Sequence, residues 1–170
     1  RYIASKKPDV IVHLGDHWDM ESLSSYDKNK TSFEGRRYKR DIESGNLAMD
    51  LFLQTIKAER QRLKINKKKQ WKPRMVFTIG NHEQRIERAI ENDCILEDTI
   101  GYQDLNLDDW EVADFLQPVI IEGVAFSHYF TTGVMGRPCS SARAMLQKKL
   151  MSTVMGHVQQ RDIAYAQKAD

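Results

Sequence analysis

The sequence predicts an α/β fold, and three observations carry that expectation. Residues 10–14 (VIVHL) and 75–79 (MVFTI) are short, almost continuous apolar runs rich in β-branched residues, as in strands buried on both faces. Segments with apolar residues at helical spacing follow each of them. Each run then stops at a glycine and a polar residue, Gly15-Asp16 and Gly80-Asn81, where a strand would leave its sheet.

Taken in order, residues 2–7 read as the last turn of a helix, broken at Pro8-Asp9, so the chain reads as beginning mid-unit, after a first strand that it does not contain. Residues 19–40 are polar and irregular. Residues 41–65 form a long helix, with Leu47, Leu51 and Thr55 in one row and Ala48, Phe52, Ile56 and Leu63 in another. Pro73 closes that segment before the second strand. Residues 83–92 are helical, with Ile86, Ala89 and Ile90 on one face, and 92–116 are less regular, with short helices. Residues 119–121 and 124–127, split by Glu122-Gly123, read as a hairpin. Residues 138–150 read as a helix with Ser140 or Ser141 near its start, 152–155 as a strand, and 163–166 as the start of another before the chain stops at Asp170 as if cut.

A chain of 170 residues, 41% apolar and 29% charged, suits one soluble domain with a sizeable core. No run approaches the roughly 18 apolar residues of a membrane span, and the first residues lack the apolar core of a signal peptide. Cys94 and Cys139 form no CxxC pair and read as reduced thiols in a cytoplasmic protein. The net charge of +2 conceals a polarity. Residues 57–74 (KAERQRLKINKKKQWKPR), from Lys57 to Arg74, hold nine basic residues and one acid, whereas residues 91–122 hold ten acids and no Lys or Arg. The basic run is either a solvated helix end or a contact for a phosphate backbone, with Trp71 available to stack on bases.

Four strand signals end in a ligand-type side chain: Asp16 after VIVHLG, Asn81 after MVFTIG, His128 after VAFS and His157 after TVMG. Ligand sites in α/β sheets collect beyond the carboxyl ends of strands, so four segments can aim these groups at one point. Carboxylate, amide oxygen and imidazole suit a borderline divalent cation, and neither cysteine is placed for a thiolate site.

The ordered series GDHWD, GNHEQR, SHY and GHVQ resembles the calcineurin-like metallophosphoesterases, whose pattern is D-x-H, G-D-x-x-D, G-N-H-[DE], a lone His and G-H-x-H. The resemblance spans residues 10–159. It implies a β-sandwich flanked by helices, a single domain over 1–170 that is truncated at the N-terminus and reads as cut at the C-terminus as well, and a helical, basic insertion at about 19–72. It also implies phosphoester hydrolysis at two divalent ions, Mn²⁺ first, with Fe, Zn, Ni or Mg as alternatives. In that scheme Asp16 bridges the ions, and Asn81, His128 and His157 complete the second ion's ligands. His82 protonates the leaving oxygen, held by Asp19, while Arg85 and His17 meet substrate.

Two departures stand out. No D-x-H precedes Asp16, and the family's last histidine is Gln159, a weaker ligand that binds directly or through a water. The first metal position therefore keeps Asp16 alone, and this chain should bind one ion better than two. The basic run favours a phosphodiester substrate such as nucleic acid or a nucleotide over a phosphomonoester. A non-catalytic scaffold that binds nucleic acid or a protein is the alternative. His13 should pack beneath the site and Glu83 should charge the next helix. Trp18 and Tyr129 are open to packing or cleft roles, and Gly133, Gly136 and Arg137 lie in a loop that either meets phosphate or only connects.

Overall fold

A computed structural model describes residues 2–27 and 30–167. The chain is mixed α/β: helices α1 (Tyr2–Lys6), α2 (Tyr38–Ile65), α3 (Arg85–Asn92) and α4 (Ala142–Lys149), with two three-stranded sheets. In the first sheet β1 (Val10–His13), β2 (Arg74–Thr78) and β3 (Glu111–Ala113) run parallel in that order. In the second, β4 (Val119–Ile121) and β5 (Val124–Ser127) form an antiparallel hairpin, and β6 (Ser152–Met155) adds parallel to β5. No helix among the described residues is long and apolar enough to cross a membrane.

The central strand β2 is buried from Met75 to Thr78, as its unbroken apolar run requires. Against it packs α2, which turns Gly45, Met49, Leu53, Ile56 and Leu63 inward beside Ile11, Phe77 and Trp110. Ile56 and Leu63 are buried as expected, whereas Leu47, Ala48 and Leu51 are exposed and the rest of the buried stripe runs through Gly45, Met49 and Leu53. The reason is a close crossing. A Cβ on Gly45 would stand 2.0 Å from Trp18 Cδ1, so only a glycine admits the indole against the helix backbone. Trp18, fully buried, donates from Nε1 to Asn46 Oδ1 at 3.0 Å; it is a packing residue.

β3 was not anticipated: its Glu111 and Val112 are exposed and it spans three residues, too few for a pattern to show. Residues 163–166, expected as a strand, are irregular, and Ile163 and Tyr165 are exposed. Helix α4 starts later than expected, at Ala142, because the Ser141 hydroxyl caps it by accepting from the Ala144 amide at 3.2 Å. A smaller core of Ala125, Phe130, Cys139 and Met145 holds α4 on the second sheet. Both cysteines are free.

His13 ends β1 as expected, beneath the strand ends. Its ring stacks on Phe77 at 4.8 Å and meets His17 and Trp110 edge-on, and its Nδ1 accepts from the Gly15 amide. Burial, with the nearby His17, pushes its imidazole down from 6.5 to about 4. The unfolded chain therefore takes up this proton first on acidification. The stabilisation is whole above pH 6.5 and is lost as pH falls toward 4. His13→Phe should lower stability at neutral pH and flatten its decline across that interval, read from urea midpoints at either end. Parallel declines in the two proteins would assign the acid lability to other groups.

Candidate metal centre and adjoining cleft

Because β1 and β2 are parallel and in register, with His13 opposite Phe77, their exit loops leave the sheet side by side. The loops touch backbone to backbone. A Cβ on Gly15 would lie 2.5 Å from the Gly80 nitrogen, and one on Gly80 would lie 2.3 Å from Asp16 Oδ1. Glu83 locks this arrangement. Its fully buried carboxylate accepts from the amides of Asp16 (2.9 Å), His17 (2.6 Å), Trp18 (3.0 Å) and Gly80 (2.9 Å). Four N–H donors thus fill the carboxylate's acceptor sites. Glu83 is a loop tie rather than the helix charge expected for it. Its missed signal was its place three residues after Gly80, in reach of both loops.

β5 and β6 are also parallel, and their register pairs Ser127 with Met155, so His128 and His157 emerge together. The Gly156 amide donates to the His128 carbonyl at 3.0 Å. The four predicted ligand atoms then meet. His128 Nε2 lies 2.8 Å from Asn81 Oδ1, 3.2 Å from His157 Nδ1 and 3.3 Å from Asp16 Oδ2, and His157 Nδ1 lies 2.7 Å from Asn81 Oδ1. A tetrahedral ion with bonds of about 2.0–2.1 Å spaces its ligands by about 3.3 Å.

The donor set fits a cation. The Leu14 carbonyl can only accept, so His128 Nδ1 carries its proton there and Nε2 presents a lone pair to the cluster. Lone pairs from an imidazole, an amide oxygen and a carboxylate face one another, and either a proton or a metal ion must sit among them. Burial pushes Asp16 up, but hydrogen bonds from His128 and the His82 amide outweigh it and hold the carboxyl below its usual range. Burial pushes His128 down, and the Asp16 contact and the Leu14 carbonyl outweigh it, leaving the imidazole above 6.5. Burial and the neighbouring His128 hold His157 below its ordinary value.

Beside this cluster, His82 Nδ1 and Asp19 Oδ1 are 2.6 Å apart, and the His82 amide donates to Asp16 Oδ1 at 3.0 Å. Arg85 reaches back from α3 and donates to the carbonyls of Asp19 (2.9 Å) and Met20 (3.3 Å) and to His82 Nε2 (3.3 Å). A guanidinium only donates, so Nε2 is the acceptor and the His82 proton sits on Nδ1, facing Asp19. A cleft of about 710 Å³ opens here, lined among others by Asn81, His157, Arg85, Arg88, Tyr129 and Leu96. Tyr129 is thus a cleft residue.

Other predicted residues lie elsewhere. His17 is turned under α2, with Nε2 3.0 Å from the Gly45 carbonyl and its ring against Trp18 and His13, so it does not join the cleft. Gln159 is exposed and shares no hydrogen bond with the cluster among the described residues. Gly133, Gly136 and Arg137 are exposed and do not line the cleft. The basic run precedes β2 and so lies at the opposite edge of the parallel sheet from Asp16 and Asn81. Trp71 is no stacking platform. It is buried and donates from Nε1 to the Pro8 carbonyl at 2.8 Å. Within the run Lys57 pairs with Asp109, Arg62 with Glu59 and Arg74 with Glu111.

No family model, curated protein or solved structure matches the chain.

Two outcomes follow from this geometry. Mn²⁺ affinity, measured by calorimetry, should weaken as pH falls through the His128 pKa above 6.5, since a proton competes for the same lone pairs; a flat profile would place the ion elsewhere. Glu83→Gln replaces an acceptor with an NH₂ that faces N–H donors, and each buried amide left unpaired costs about 1–3 kcal/mol. That variant should melt at lower temperature and lose metal affinity together, whereas unchanged melting would show that the loops hold without the tie.

Proposed function

We infer that the protein is a metal-dependent phosphoester hydrolase of the calcineurin-like type, its two sheets forming the halves of that family's sandwich. The observation that supports this best is the convergence of Asp16, Asn81, His128 and His157 beside the Asp19–His82 pair, at the mouth of a cleft that carries Arg85. Divalent ions at this point, Mn²⁺ first, would polarise the phosphoryl oxygens and activate water. Asp16 faces the cluster with one oxygen and the His82 amide with the other, so one side chain sets both the ion and the acid.

The remaining work belongs to the chain's own groups. A phosphate beside His82 offers Arg85 a charged acceptor, stronger than the imidazole lone pair it meets otherwise. With Arg85 drawn to the phosphate, Nε2 is free to carry the proton delivered to the leaving oxygen. Asp19 keeps the ring oriented through Nδ1 and stabilises its positive charge. Arg85 then stabilises the negative charge that develops in the transition state. The basic run stands at the far end of the strands from the cluster and does not line the cleft. Lys64, Lys67, Lys68, Lys69 and Lys72 are exposed there and form no ion pair among the described residues. Nucleic acid could reach that face as a separate partner, which keeps the scaffold reading in view.

The test is hydrolysis of bis(p-nitrophenyl) phosphate and p-nitrophenyl phosphate with Mn²⁺, beside His82→Ala. Turnover should require the metal, and the variant should lose about 10²- to 10⁴-fold in kcat, the usual worth of a positioned acid. A folded protein inert with every divalent metal would leave the scaffold reading.

A further inference from the structure

The cleft beside the metal cluster holds two arginines where the phosphoesterase reading needs one. Arg85 and Arg88 stand one turn apart on α3, at the i, i+3 spacing that puts side chains on one face. Arg36 is paired with Asp27 and Glu21, Arg62 with Glu59 and Arg74 with Glu111. Neither Arg85 nor Arg88 has a carboxylate partner among the described residues. Arg88 is held instead by neutral acceptors. Its Nε donates to Gln84 Oε1 at 2.5 Å, and an NH2 group makes a long contact, 3.5 Å, with the backbone carbonyl of Asn81. The side-chain oxygen of that same Asn81 is in the cluster. A guanidinium has five N–H donors, so Arg88 keeps several for a ligand.

The surroundings define what that ligand is. Among the described residues, the one carboxylate lining the cleft is that of Asp93, already accepting from the Ile95 amide at 3.2 Å. Ser22, Leu23 and Leu96 line the cleft with Tyr129 and Pro138, a mixture of apolar and polar surface. The volume of about 710 Å³ suits a ligand of nucleotide size. Tyr129 and Arg88 line the same cleft.

We propose that Arg88 is a specificity residue that binds a second phosphate on the substrate, so the ester cleaved here is a small bisphosphorylated molecule. This rests on the phosphoesterase reading for the first phosphate, at the metal cluster with Arg85. Arg88 holds the second phosphate through the donors that Gln84 and Asn81 leave free, and a neutral or singly phosphorylated compound leaves them empty.

The probes are adenosine 5′-monophosphate and adenosine 3′,5′-bisphosphate, which differ by one phosphate. Their equilibrium affinities are measured on the full chain in Mn²⁺ and again in EDTA, for the wild type, Arg88→Gln and Arg88→Lys. A charge-assisted contact corresponds to about tenfold or more in affinity. The wild type should prefer the bisphosphate by that factor in both buffers. Arg88→Gln should bring the ratio close to one, and Arg88→Lys should restore part of it, which a purely structural role would not do. Equal affinities in the wild type, a ratio untouched by Arg88→Gln, or no binding of either nucleotide would each overturn the proposal. Absence of Mn²⁺-dependent hydrolysis with the preference intact would overturn only the phosphoesterase reading.

Discussion

One buried carboxylate organises the end of this molecule where Asp16, Asn81, His128 and His157 meet. Glu83 gathers four backbone amides, those of Asp16, His17, Trp18 and Gly80, from two loops that are far apart in sequence. The parallel register of β1 and β2 brings the loops level, and the missing side chains of Gly15 and Gly80 let them close. The carboxylate then satisfies N–H groups that would otherwise be buried without partners. Asp16 takes its position from that tie, and it in turn meets His128 with one oxygen and the His82 amide with the other. The order of dependence runs from a backbone hydrogen-bonding requirement to the chemistry.

The second sheet joins through an equally simple device. His128 Nδ1 donates to the Leu14 carbonyl, just past the first sheet's strand β1, so one bond sets the imidazole's tautomer and also joins the two sheets, beside the contacts of His128 and His157 with Asn81. Shifting the sheets apart would release the proton that keeps Nε2 free for a cation. Fold and donor set are therefore coupled through a single imidazole. The arginines of α3 add the opposite charge on the cleft side, where the helix packs by Ile86 and keeps its polar face outward.

Much of this was legible in the sequence, and the reasons are physical. β2 shows as a continuous apolar run because it is buried from Met75 to Thr78, whereas β1, with a similar run, is buried only at Ile11 and half-buried elsewhere; the Asp, Asn and two His of the cluster show because each follows a strand end. The buried stripe of α2 was misread, because Leu47 and Leu51 are apolar yet exposed while Gly45, which carries no side chain, marks the contact. β3 is short, half exposed and acidic, so its pairing to β2 leaves no trace in composition. Glu83 has the residue type of a helix-terminus acid, and only the proximity of Gly15 and Gly80 turns it inward. His17 and Trp71 were assigned by their neighbours in sequence, whereas their ring nitrogens answer to carbonyls of Gly45 and Pro8.

Asp16 and His157 share a backbone feature. Both have positive φ, 53° and 61°, in the left-handed region that costs an L-residue about 1–2 kcal/mol. A glycine at either position would relax the chain while deleting a donor. Selection for thermal robustness alone would therefore erode the centre, and persistence of these two side chains in any descendant sequence would report that the centre is in use.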